Sequence, residues 1–525
     1  MSPASYQPVA PYAGLASFVH SRSPFPLFNP QLYQTAQSPK RVLILGAGLA
    51  GLSAAFQLAQ AGHDVTVLEA KAVPGGRVHT LREPFQQGQV AEAGAMFVPG
   101  HHTLTIGYVG MLQLPLLQVT ETATDLVLYL RGARVGQPAL PTASWPITLT
   151  SPEQQGGYFG LWTTYVLPVI SQLGDPRSAG WPPPALAQFD NQSFAEFIRA
   201  RGASPAAMEI LKLGYFDLFG DGIYAASALN ILRDLCLTVD GVPPHLKPGI
   251  SIARDFPPPL VEKFRMADGT IVDAAEVANN TYTIQGGNDR IPRALAATPQ
   301  LAQRVEAETV VTRIEDTGNA VRVTAKGGRN WEAERAIIAI PFSVLREIEL
   351  AAPLSRAKRE AIAGLRATSV TRVFVQTSTR PWETLGLAGC AATDLPIMYV
   401  NNQSASQPGP AGILESYSAG PRARAWAALA DSERHAQVVA QLDQVYPGMA
   451  SATVATASKC WDEDEYARGD YCFFEPGEMA RLLPVIARAE GRLHFAGEHT
   501  SALPGWMQGA FESGHRAAGE VHFSV

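Results

Sequence analysis

RVLILGAGLAGLSAAFQLAQAGHDVTVLE, the segment Arg41–Glu69, predicts a strand, a glycine-rich turn, a helix and a second strand that ends in an acid. Gly46, Gly48 and Gly51 have GxGxxG spacing directly after an apolar run. In this pattern the first glycine permits a sharp turn, the second lets the backbone approach a pyrophosphate, and the third lets the helix pack closely on the strand. Glu69 follows Gly46 by about 20 residues, the usual distance for an acid that accepts ribose hydroxyls. The segment therefore predicts a dinucleotide-binding unit.

The bulk composition is that of a globular protein with more than one domain. With 525 residues the chain is longer than one hydrophobic core usually organises, so we expect two or three domains. The formal net charge of −6 offers no basic surface for nucleic acid. Four cysteines without CxxC spacing argue against a structural zinc site or a disulfide-rich fold, and no metal-binding constellation is recognised.

The first 38 residues contain several prolines and only short apolar stretches, so they lack the pattern of a signal peptide. No apolar stretch approaches the ~20 residues needed to cross a bilayer. We therefore expect no membrane span and a cytoplasmic location.

Periodicity divides the rest of the chain into sheet and helical regions. The helix of the opening unit is predicted over Leu49–Ala61. Val109–Tyr129 alternates apolar and polar residues, which suggests strands, whereas 151–235 is rich in helical periodicity, for example over Ser193–Arg201 and Ala206–Phe216. We interpret the latter stretch as a helical insert.

The C-terminal half predicts a second sheet and a return to the first domain. Strands are expected at Val370–Thr377 and Ile413–Ser416, followed by an amphipathic helix over Ala423–Val445. The last unit repeats the opening pattern, with a strand at Leu493–Ala496 and a turn plus terminal helix over Gly505–Val521. The two ends of the chain therefore appear in one domain, interrupted by long insertions.

Five segments together are more specific than the glycine turn. They are GAGLAGL at 46–52, Glu69, PGGR at 74–77, GGNDRIPRAL at 286–295 and FAGEHTSALPGWMQGAFESGHRAA at 495–518. The combination resembles the flavin-containing amine oxidase superfamily and is most similar to the L-amino-acid oxidases, over about residues 40 to 520. The resemblance implies FAD. The cofactor-binding residues that it implies are Gly46, Ala47, Gly48, Leu49, Ala50, Gly51, Glu69, Ala70, Gly76, Arg77, Ala95, Met96, Val311, Trp461, Gly497, Glu498, Gly505, Trp506 and Met507.

The resemblance and the periodicity together predict a mixed α/β (α+β) fold. It consists of a discontinuous Rossmann-like FAD-binding domain, a mixed-sheet substrate-binding domain and a helical insert. The predicted division is an N-terminal extension (1–38), the FAD-binding domain in three parts (39–100, 271–342 and 485–525), the substrate-binding domain in two parts (101–150 and 343–484) and the helical domain (151–270).

The family includes enzymes that link FAD through a cysteine in a short Gly-Cys-Tyr stretch. The matching segment here is Gly469-Asp470-Tyr471-Cys472, in which Asp470 takes the position of the cysteine. Cys472 comes two residues late, so we predict non-covalent FAD.

Aromatic residues are expected to form the substrate slot. Trp506 and Tyr471 match the two rings that flank the substrate in the monoamine oxidases, and Trp461 is expected to abut them. Core packing is the alternative for each ring. Tyr417 matches a family tyrosine that binds the substrate carboxylate. The family motif Gly-Ala-Met-Arg also supplies an arginine for this carboxylate, but this chain has Phe97 at the position of that arginine.

Arg372 stands where much of the superfamily has a lysine that reaches the flavin through water. An arginine stays charged and cannot shuttle a proton, so either the water is organised differently or Arg372 anchors an anionic substrate. An exposed, salt-bridged arginine at a strand end is a third interpretation. His101 and His102 follow Phe97 closely, where a capping or exposed role is more common than a catalytic one. The catalytic candidates are thus Arg372, Trp506, Tyr471 and Tyr417, and the substrate-binding candidates are Phe97, Tyr417 and Trp506.

The function expected from this resemblance is oxidation of the C–N bond of an L-amino acid to an imine, which hydrolyses to a keto acid and ammonia while O2 is reduced to H2O2. The alternatives are a primary or secondary amine oxidase, a related amino-acid monooxygenase and, from another class, a non-enzymatic flavin-binding scaffold or a relative of the chromatin-directed demethylases that works through partner domains. The expected partners are a small-molecule amino acid or amine and molecular oxygen, with a homodimer as one candidate assembly and no nucleic acid.

Overall fold

A computed structural model gives the structure of the chain over Ala36 and residues 38–119, 126–135, 143–170, 172–178, 180–213, 217–238, 263–278 and 280–524. The predicted N-terminal extension, apart from Ala36 and Ser38, lies outside these residues. The described strands are β1 (Arg41–Leu45), β2 (Asp64–Leu68), β3 (Thr80–Leu81), β4 (Ala91–Glu92), β5 (Val98–Pro99), β6 (Leu116–Gln118), β7 (Val127–Leu130), β8 (Ala133–Val135), β9 (Lys263–Arg265), β10 (Ile271–Asp273), β11 (Thr281–Ile284), β12 (Val305–Glu306), β13 (Val311–Asp316), β14 (Val321–Ala325), β15 (Asn330–Ala333), β16 (Arg335–Ile338), β17 (Glu349–Ala351), β18 (Arg366–Ala367), β19 (Val370–Thr377), β20 (Ala391–Thr393), β21 (Tyr399–Asn402), β22 (Gly412–Ala419), β23 (Thr453–Cys460), β24 (Cys472–Phe473) and β25 (Leu493–Phe495).

Helices cover much of the remaining described chain. They are α1 (Leu49–Gln60), α2 (Thr103–Met111), α3 (Ser151–Tyr165), α4 (Leu167–Ile170), α5 (Ala187–Asp190), α6 (Phe194–Ala200), α7 (Pro205–Lys212), α8 (Ala228–Thr238), α9 (Ala274–Val277), α10 (Arg290–Ala296), α11 (Phe342–Leu345), α12 (Arg356–Gly364), α13 (Pro381–Thr384), α14 (Gly420–Ala427), α15 (Asp431–Val445), α16 (Met449–Ala452), α17 (Met479–Ile486) and α18 (Met507–Phe523). Short 3-10 turns lie at Pro184–Leu186 and Glu498–Thr500.

A five-stranded parallel sheet joins distant parts of the sequence. Its order is β12-β2-β1-β16-β25, so strands from both ends of the chain are neighbours of strands from its middle. Side chains alternate along β1: Val42 and Ile44 enter the core that contains α1 and α18, while Leu43 and Leu45 enter the core on the other face. Both faces are therefore covered, as parallel sheets require. This sheet confirms the discontinuous Rossmann-like unit.

A seven-stranded mixed sheet forms the second layer. Its order is β23-β19-β22-β21-β20-β7-β8, and its pairs are antiparallel except β20 with β7. Every residue of β19 and β22 is buried. The predicted strand Val370–Thr377 has the bounds of β19.

Two predictions about individual elements are wrong in part. The start of the predicted strand region Val109–Tyr129 lies in α2, because a short, uniformly buried apolar run does not distinguish a helix from a strand. Its residues 120–125 lie outside the described chain. The predicted helix Ala423–Val445 is two helices, α14 and α15. The Arg434 guanidinium, in the first turn of α15, donates to the carbonyls of Trp426 and Leu429, each at 2.8 Å, and so caps the C-terminal end of α14.

Six of the helices, α3 to α8, fall within the predicted helical insert. Helix α6 begins at a capping box in which Ser193 and Glu196 satisfy each other's backbone N–H groups. The end of the predicted helix Ala206–Phe216 lies outside the described residues, and α7 ends at Lys212. Strand β9 also falls in the predicted helical range, and the domain division as a whole stays a prediction. Within the described residues, no helix has the length and apolarity to cross a membrane.

Candidate active site

The glycine turn between β1 and α1 has the geometry that its spacing predicts. Gly46 has φ +104°, which favours glycine, and it makes the sharp turn. A Cβ at Gly51 would lie 1.9 Å from the Gly46 carbonyl oxygen, so only glycine permits this close packing. A Cβ at Gly48 would meet nothing within 4 Å, and Gly48 lines a cavity. The second glycine therefore opens the backbone to a ligand.

That cavity runs from the glycine turn to the seven-stranded sheet and has a volume of about 530 Å³, within the usual range for ligand sites. Most of the predicted site residues line it, although they come from separate parts of the sequence. The lining residues among the predicted cofactor contacts are Gly46, Gly48, Leu49, Ala50, Glu69, Ala70, Gly76, Arg77, Ala95, Met96, Val311, Gly497, Glu498, Gly505, Trp506 and Met507. The predicted substrate-binding residues Phe97 and Tyr417 line it too, as do the catalytic candidates Arg372 and Tyr471.

Three predicted cofactor residues do not line the cavity. Ala47 and Gly51 are buried in the turn, where Gly51 packs on Gly46. Trp461 is fully buried, and its indole N–H donates to the Ala93 carbonyl at 2.8 Å. These three residues shape the wall through packing and backbone contacts and present no side chain to the cavity.

Glu69 is fixed by backbone groups at the end of β2. Its Oε2 accepts a hydrogen bond from the Ala47 N–H at 2.5 Å and its Oε1 accepts one from the Lys71 N–H at 2.8 Å. Burial raises the pKa of Glu69 above its ordinary value, although these amides oppose the shift. The carboxylate therefore ties the glycine turn to the second strand at the edge of the cavity.

An ion pair joins the two terminal parts of the chain. Arg77 Nη1 lies 2.8 Å from Glu498 Oε1 and also donates to the Asp470 carbonyl, while Glu498 Oε2 accepts from the Gly505 N–H at 2.9 Å. Burial alone would raise the pKa of Glu498, but the charge of Arg77, together with His499 and the Gly505 N–H, holds the pKa below its ordinary value. The pair thus fixes the loop before α18 against the loop after β2.

Arg372 is not an exposed arginine at a strand end. It lies inside β19, and its side chain is only 7% exposed. Its Nη1 donates to the Glu92 carbonyl at 3.2 Å and lies 3.4 Å from Glu415 Oε1, while Nη2 lies 3.8 Å from Asp470 Oδ2. Burial alone would lower the pKa of Arg372, but Glu415 and its other neighbours raise it above the ordinary value. The guanidinium stays charged between two carboxylates.

Three aromatic residues meet at the same end of the cavity. The Arg372 guanidinium lies 4.4 Å from the centroid of the Tyr417 ring, and the Tyr417 hydroxyl donates to the Tyr471 hydroxyl at 3.3 Å. The Tyr471 hydroxyl donates in turn to the Leu218 carbonyl. Trp506 donates from its indole N–H to Asp234 Oδ1 at 3.2 Å. The helical insert therefore supplies Leu218 and Asp234 to the cavity wall.

Sequence reasoning missed Leu218 and Asp234, and it left Asn288 without a role. The Asn288 amide donates to the carbonyls of Ala95 and Met96 at 2.9 and 2.7 Å, and it accepts from the Ile284 N–H. This side chain holds the cavity-lining loop that leads to Phe97. The GGNDR motif, which contains Asn288, was the sequence signal that could have indicated this role. No local pattern points to Asp234.

His102 contacts the site indirectly. Its ring lies edge-on to Trp506, with centroids 5.0 Å apart, and it is buried at the start of α2. Neither His101 nor His102 lines the cavity. In the described part of the chain, no group of three or more His, Cys, Asp or Glu side chains is arranged to hold a metal.

A family model described as flavin containing amine oxidoreductase matches residues 49–522. The chain belongs to this family. This match confirms the predicted resemblance. Membership of the family makes the protein a flavin-dependent oxidoreductase. The backbone is open to the cavity at Gly48 and Gly76, and the Arg77–Glu498 pair lies beside it. Both features fit a bound flavin dinucleotide.

Relatives within the flavin-containing amine oxidoreductase family carry amino-acid oxidase names. The chain is 30% identical over 509 residues to "Putative L-amino-acid oxidase YobN" of Bacillus subtilis, which covers 93% of the chain and 95% of that protein. It is 27% identical over 504 residues to an L-amino-acid oxidase of Pseudechis australis, covering 94% and 88% respectively. Among solved structures, cyclohexylamine oxidase from Brevibacterium oxydans has a TM-score of 0.74 at 20% identity, covering 92% of this chain and 99% of that one. The last likeness confirms the fold.

Proposed function

We propose that the protein is an FAD-dependent oxidase of an L-amino acid. The substrate is oxidised at its C–N bond to an imine, which hydrolyses to a keto acid and ammonia, and O2 is reduced to H2O2. The observation that carries the proposal is one cavity that joins a dinucleotide turn to an end lined by Arg372, Tyr417, Tyr471 and Trp506. The names of the relatives, which match the chain over nearly its whole length, support the amino-acid substrate.

FAD would be held by backbone at the glycine turn, by Glu69 at the end of β2 and by the loops that Arg77 and Glu498 join. When bound, the flavin accepts the two electrons and the hydrogen that leave the substrate carbon. The binding is proposed to be non-covalent because Asp470 supplies no thiol at the family's attachment position. Cys472 lies outside the cavity lining, and burial raises its pKa well above the ordinary value. Denaturation should therefore release the flavin into the supernatant.

The chain's own side chains would shape and dry the substrate end. Tyr471 and Trp506 present ring surfaces, Phe97 contributes an apolar wall, and these groups exclude water from the reacting amine. A substrate carboxylate would meet the Tyr417 hydroxyl and the Arg372 guanidinium, which lies over the Tyr417 ring. Arg372 is thus the proposed anchor.

A second candidate function is oxidation of a primary or secondary amine. The observation that favours it is that Arg372 already faces Glu415 and Asp470, so a substrate carboxylate would compete with two carboxylates of the protein. Phe97, which cannot bind a carboxylate, favours it as well.

Anaerobic mixing of the yellow protein with a panel of L-amino acids and their decarboxylated amines separates these functions. Bleaching by amino acids, followed on aeration by equimolar keto acid and H2O2, is the expected result. Bleaching by the amines alone would reject the amino-acid substrate, and formation of an amide in place of H2O2 would indicate a monooxygenase. The absence of bleaching with every substrate would favour a flavin-binding scaffold.

The anchor is tested with Arg372→Met, and with Arg372→Lys should the first variant not fold. The affinity for an L-amino acid should fall about tenfold or more, as expected when a charge-assisted pair is lost, whereas the affinity for its decarboxylated amine should change little. Equal losses for both ligands would show that Arg372 does not bind the carboxylate.

A further inference from the structure

The helical insert holds two of the aromatic rings at the substrate end of the cavity. The Tyr471 hydroxyl donates to the Leu218 carbonyl, and the Phe219 ring lies edge-on to the Tyr471 ring with centroids 6.3 Å apart. The Trp506 indole N–H donates to Asp234 Oδ1 at 3.2 Å. Each ring is thus tied to the insert by a hydrogen bond, and in the second of these bonds the acceptor is a side chain.

Asp234 is an unusual residue for its place in the helix. It lies inside α8, where Leu232, Arg233 and Leu235 are buried as well, and it is itself only 2% exposed. Aspartate favours helix caps and turns over helix interiors, and burial of a carboxylate is costly unless hydrogen bonds replace the lost water. The Trp506 indole N–H supplies such a hydrogen bond. A specific contact with this ring therefore offsets part of the cost of the buried acid.

The indole needs fixed neighbours to keep one orientation. The torsion that sets the plane of a tryptophan ring is broad and roughly two-fold, so the side chain does not select its own tilt. Asp234 holds the N–H edge, and the His102 ring lies at 87° to the indole with centroids 5.0 Å apart. The backbone before the ring is fixed as well, because Gly505 has φ +79° and its N–H donates to Glu498 at 2.9 Å.

We propose that Asp234 is a positioning residue for the oxidation, which holds the Trp506 indole at the angle at which the ring packs against the substrate. This inference rests on the proposed function, in which Trp506 faces the substrate. Asp234 acts through its hydrogen bond to the ring, and no bond to Asp234 forms or breaks in the reaction. A displacement of about 1 Å in a group that orients a substrate can cost about a hundredfold in rate. One buried hydrogen bond can therefore govern turnover.

A direct electrostatic role is the competing interpretation, because Asp234 also lines the cavity and its charge would attract a substrate ammonium. The two roles require different properties of the side chain. Positioning requires an acceptor oxygen, which asparagine keeps. Attraction of a cation requires the negative charge, which asparagine lacks. Asp234→Asn therefore separates the two roles.

The test is a double-mutant cycle on the holoenzyme, measured by anaerobic flavin bleaching with the amino acid or amine that reduces the wild type. Asp234→Ala should lower the limiting rate constant about tenfold or more, because the ring is no longer held. Asp234→Asn should retain at least about a third of the wild-type rate, because its amide oxygen can accept from the indole. Trp506→Phe removes the N–H, so adding Asp234→Ala to this variant should lower the rate less than about twofold further.

Asn230→Ala is the matched control. Asn230 lies one helical turn before Asp234 on α8, is similarly buried and does not line the cavity. This variant should lose stability with little change in the bleaching rate. Urea unfolding of the wild type, both single variants and the double variant supplies a measurement that needs no substrate. The hydrogen bond predicts that the stability losses of Asp234→Ala and Trp506→Phe are not additive.

Equal losses of rate in Asp234→Asn and Asp234→Ala would overturn the proposal and assign the charge of Asp234 to the substrate. It is overturned too if Asp234→Ala leaves the rate unchanged, or lowers it as strongly in the Trp506→Phe background as in the wild type. Should Asp234→Ala not fold, the rate of Asp234→Asn still decides, because a strong loss there requires the charge.

Failure of the proposed function would be seen separately. If no amino acid or amine bleaches the wild type, the oxidation itself is rejected, and the role of Asp234 in it is rejected with it. The urea cycle then still shows whether Asp234 and Trp506 are coupled, because additive losses of stability would exclude the contact that carries the inference.

Discussion

At the nucleotide end of the cavity the protein presents backbone, whereas at the substrate end it presents side chains that hold one another. Gly48 offers no Cβ, and Glu69 is occupied by the amides of Ala47 and Lys71. At the other end Arg372 lies between two carboxylates and against an aromatic ring. The first arrangement depends on local conformation. The second depends on contacts between segments far apart in sequence.

This difference should determine how each end responds to mutation. Local changes in the backbone-built end should act on folding and cofactor binding together. Changes in the side-chain-built end should act on substrate selectivity, as proposed above for Arg372.

At the nucleotide end, the Arg77–Glu498 pair is a contact between two side chains, like the contacts at the substrate end. Breaking this pair should give the largest effect. Arg77→Met leaves the buried Glu498 without its partner at 2.8 Å, so the free energy of unfolding should fall by about 3 kcal/mol or more. Flavin content should fall as well. Urea unfolding and flavin absorbance measure the two effects. Arg77→Lys should recover part of the stability, and equal stability of Arg77→Met and the wild type would contradict the prediction.

Two glycines of the turn form a matched pair with a smaller effect. Gly51→Ala should lower the free energy of unfolding by about 2 kcal/mol through overpacking, because its Cβ would meet the Gly46 carbonyl. Gly48→Ala should leave the stability of the apoprotein nearly unchanged and weaken flavin binding, because its Cβ would point into the cavity. Unfolding of the apoprotein and titration with FAD distinguish them. If both variants lose stability equally, the conclusion that the nucleotide end presents backbone to its ligand is wrong.

The same contrast explains how much the sequence could predict. The β1–turn–α1–β2 unit and the bounds of β19 follow from local periodicity and glycine spacing, because each depends on neighbouring residues. Local patterns gave no indication that Asp234 would reach Trp506 from α8 or that Trp461 would turn away to Ala93. The Glu415 and Asp470 partners of Arg372 were equally hidden. Such roles depend on tertiary contacts, which no single segment encodes.

Replacing Asn288 tests whether the loop that leads to Phe97 affects stability, as expected at the nucleotide end, or substrate binding, as expected at the substrate end. Asn288→Ala leaves the carbonyls of Ala95 and Met96 without their donor, so the free energy of unfolding should fall by about 1 to 2 kcal/mol. Because this loop leads to Phe97, the KM should rise more than kcat falls. Steady-state kinetics together with urea unfolding check both expectations. Asn288→Asp, which keeps the size but loses the donor, should lose at least as much stability, because a buried carboxylate would face the two carbonyl oxygens.

The smallest effect concerns acid stability next to Glu498. His499 is buried, and within the described residues neither of its ring nitrogens has a hydrogen-bond partner. Burial lowers the pKa of His499 to about 4, so the folded state favours the neutral ring while the unfolded chain binds a proton below its ordinary pKa of 6.5. The stability from this residue is therefore complete above pH 6.5 and is lost as the pH falls towards 4.

Lowering the pH by one unit from 6.5 should then cost about 1 kcal/mol through His499. Subtracting the profile of His499→Leu from that of the wild type isolates this contribution from the carboxylates, which titrate in both proteins. Parallel profiles over this interval would show that the buried ring does not control acid stability.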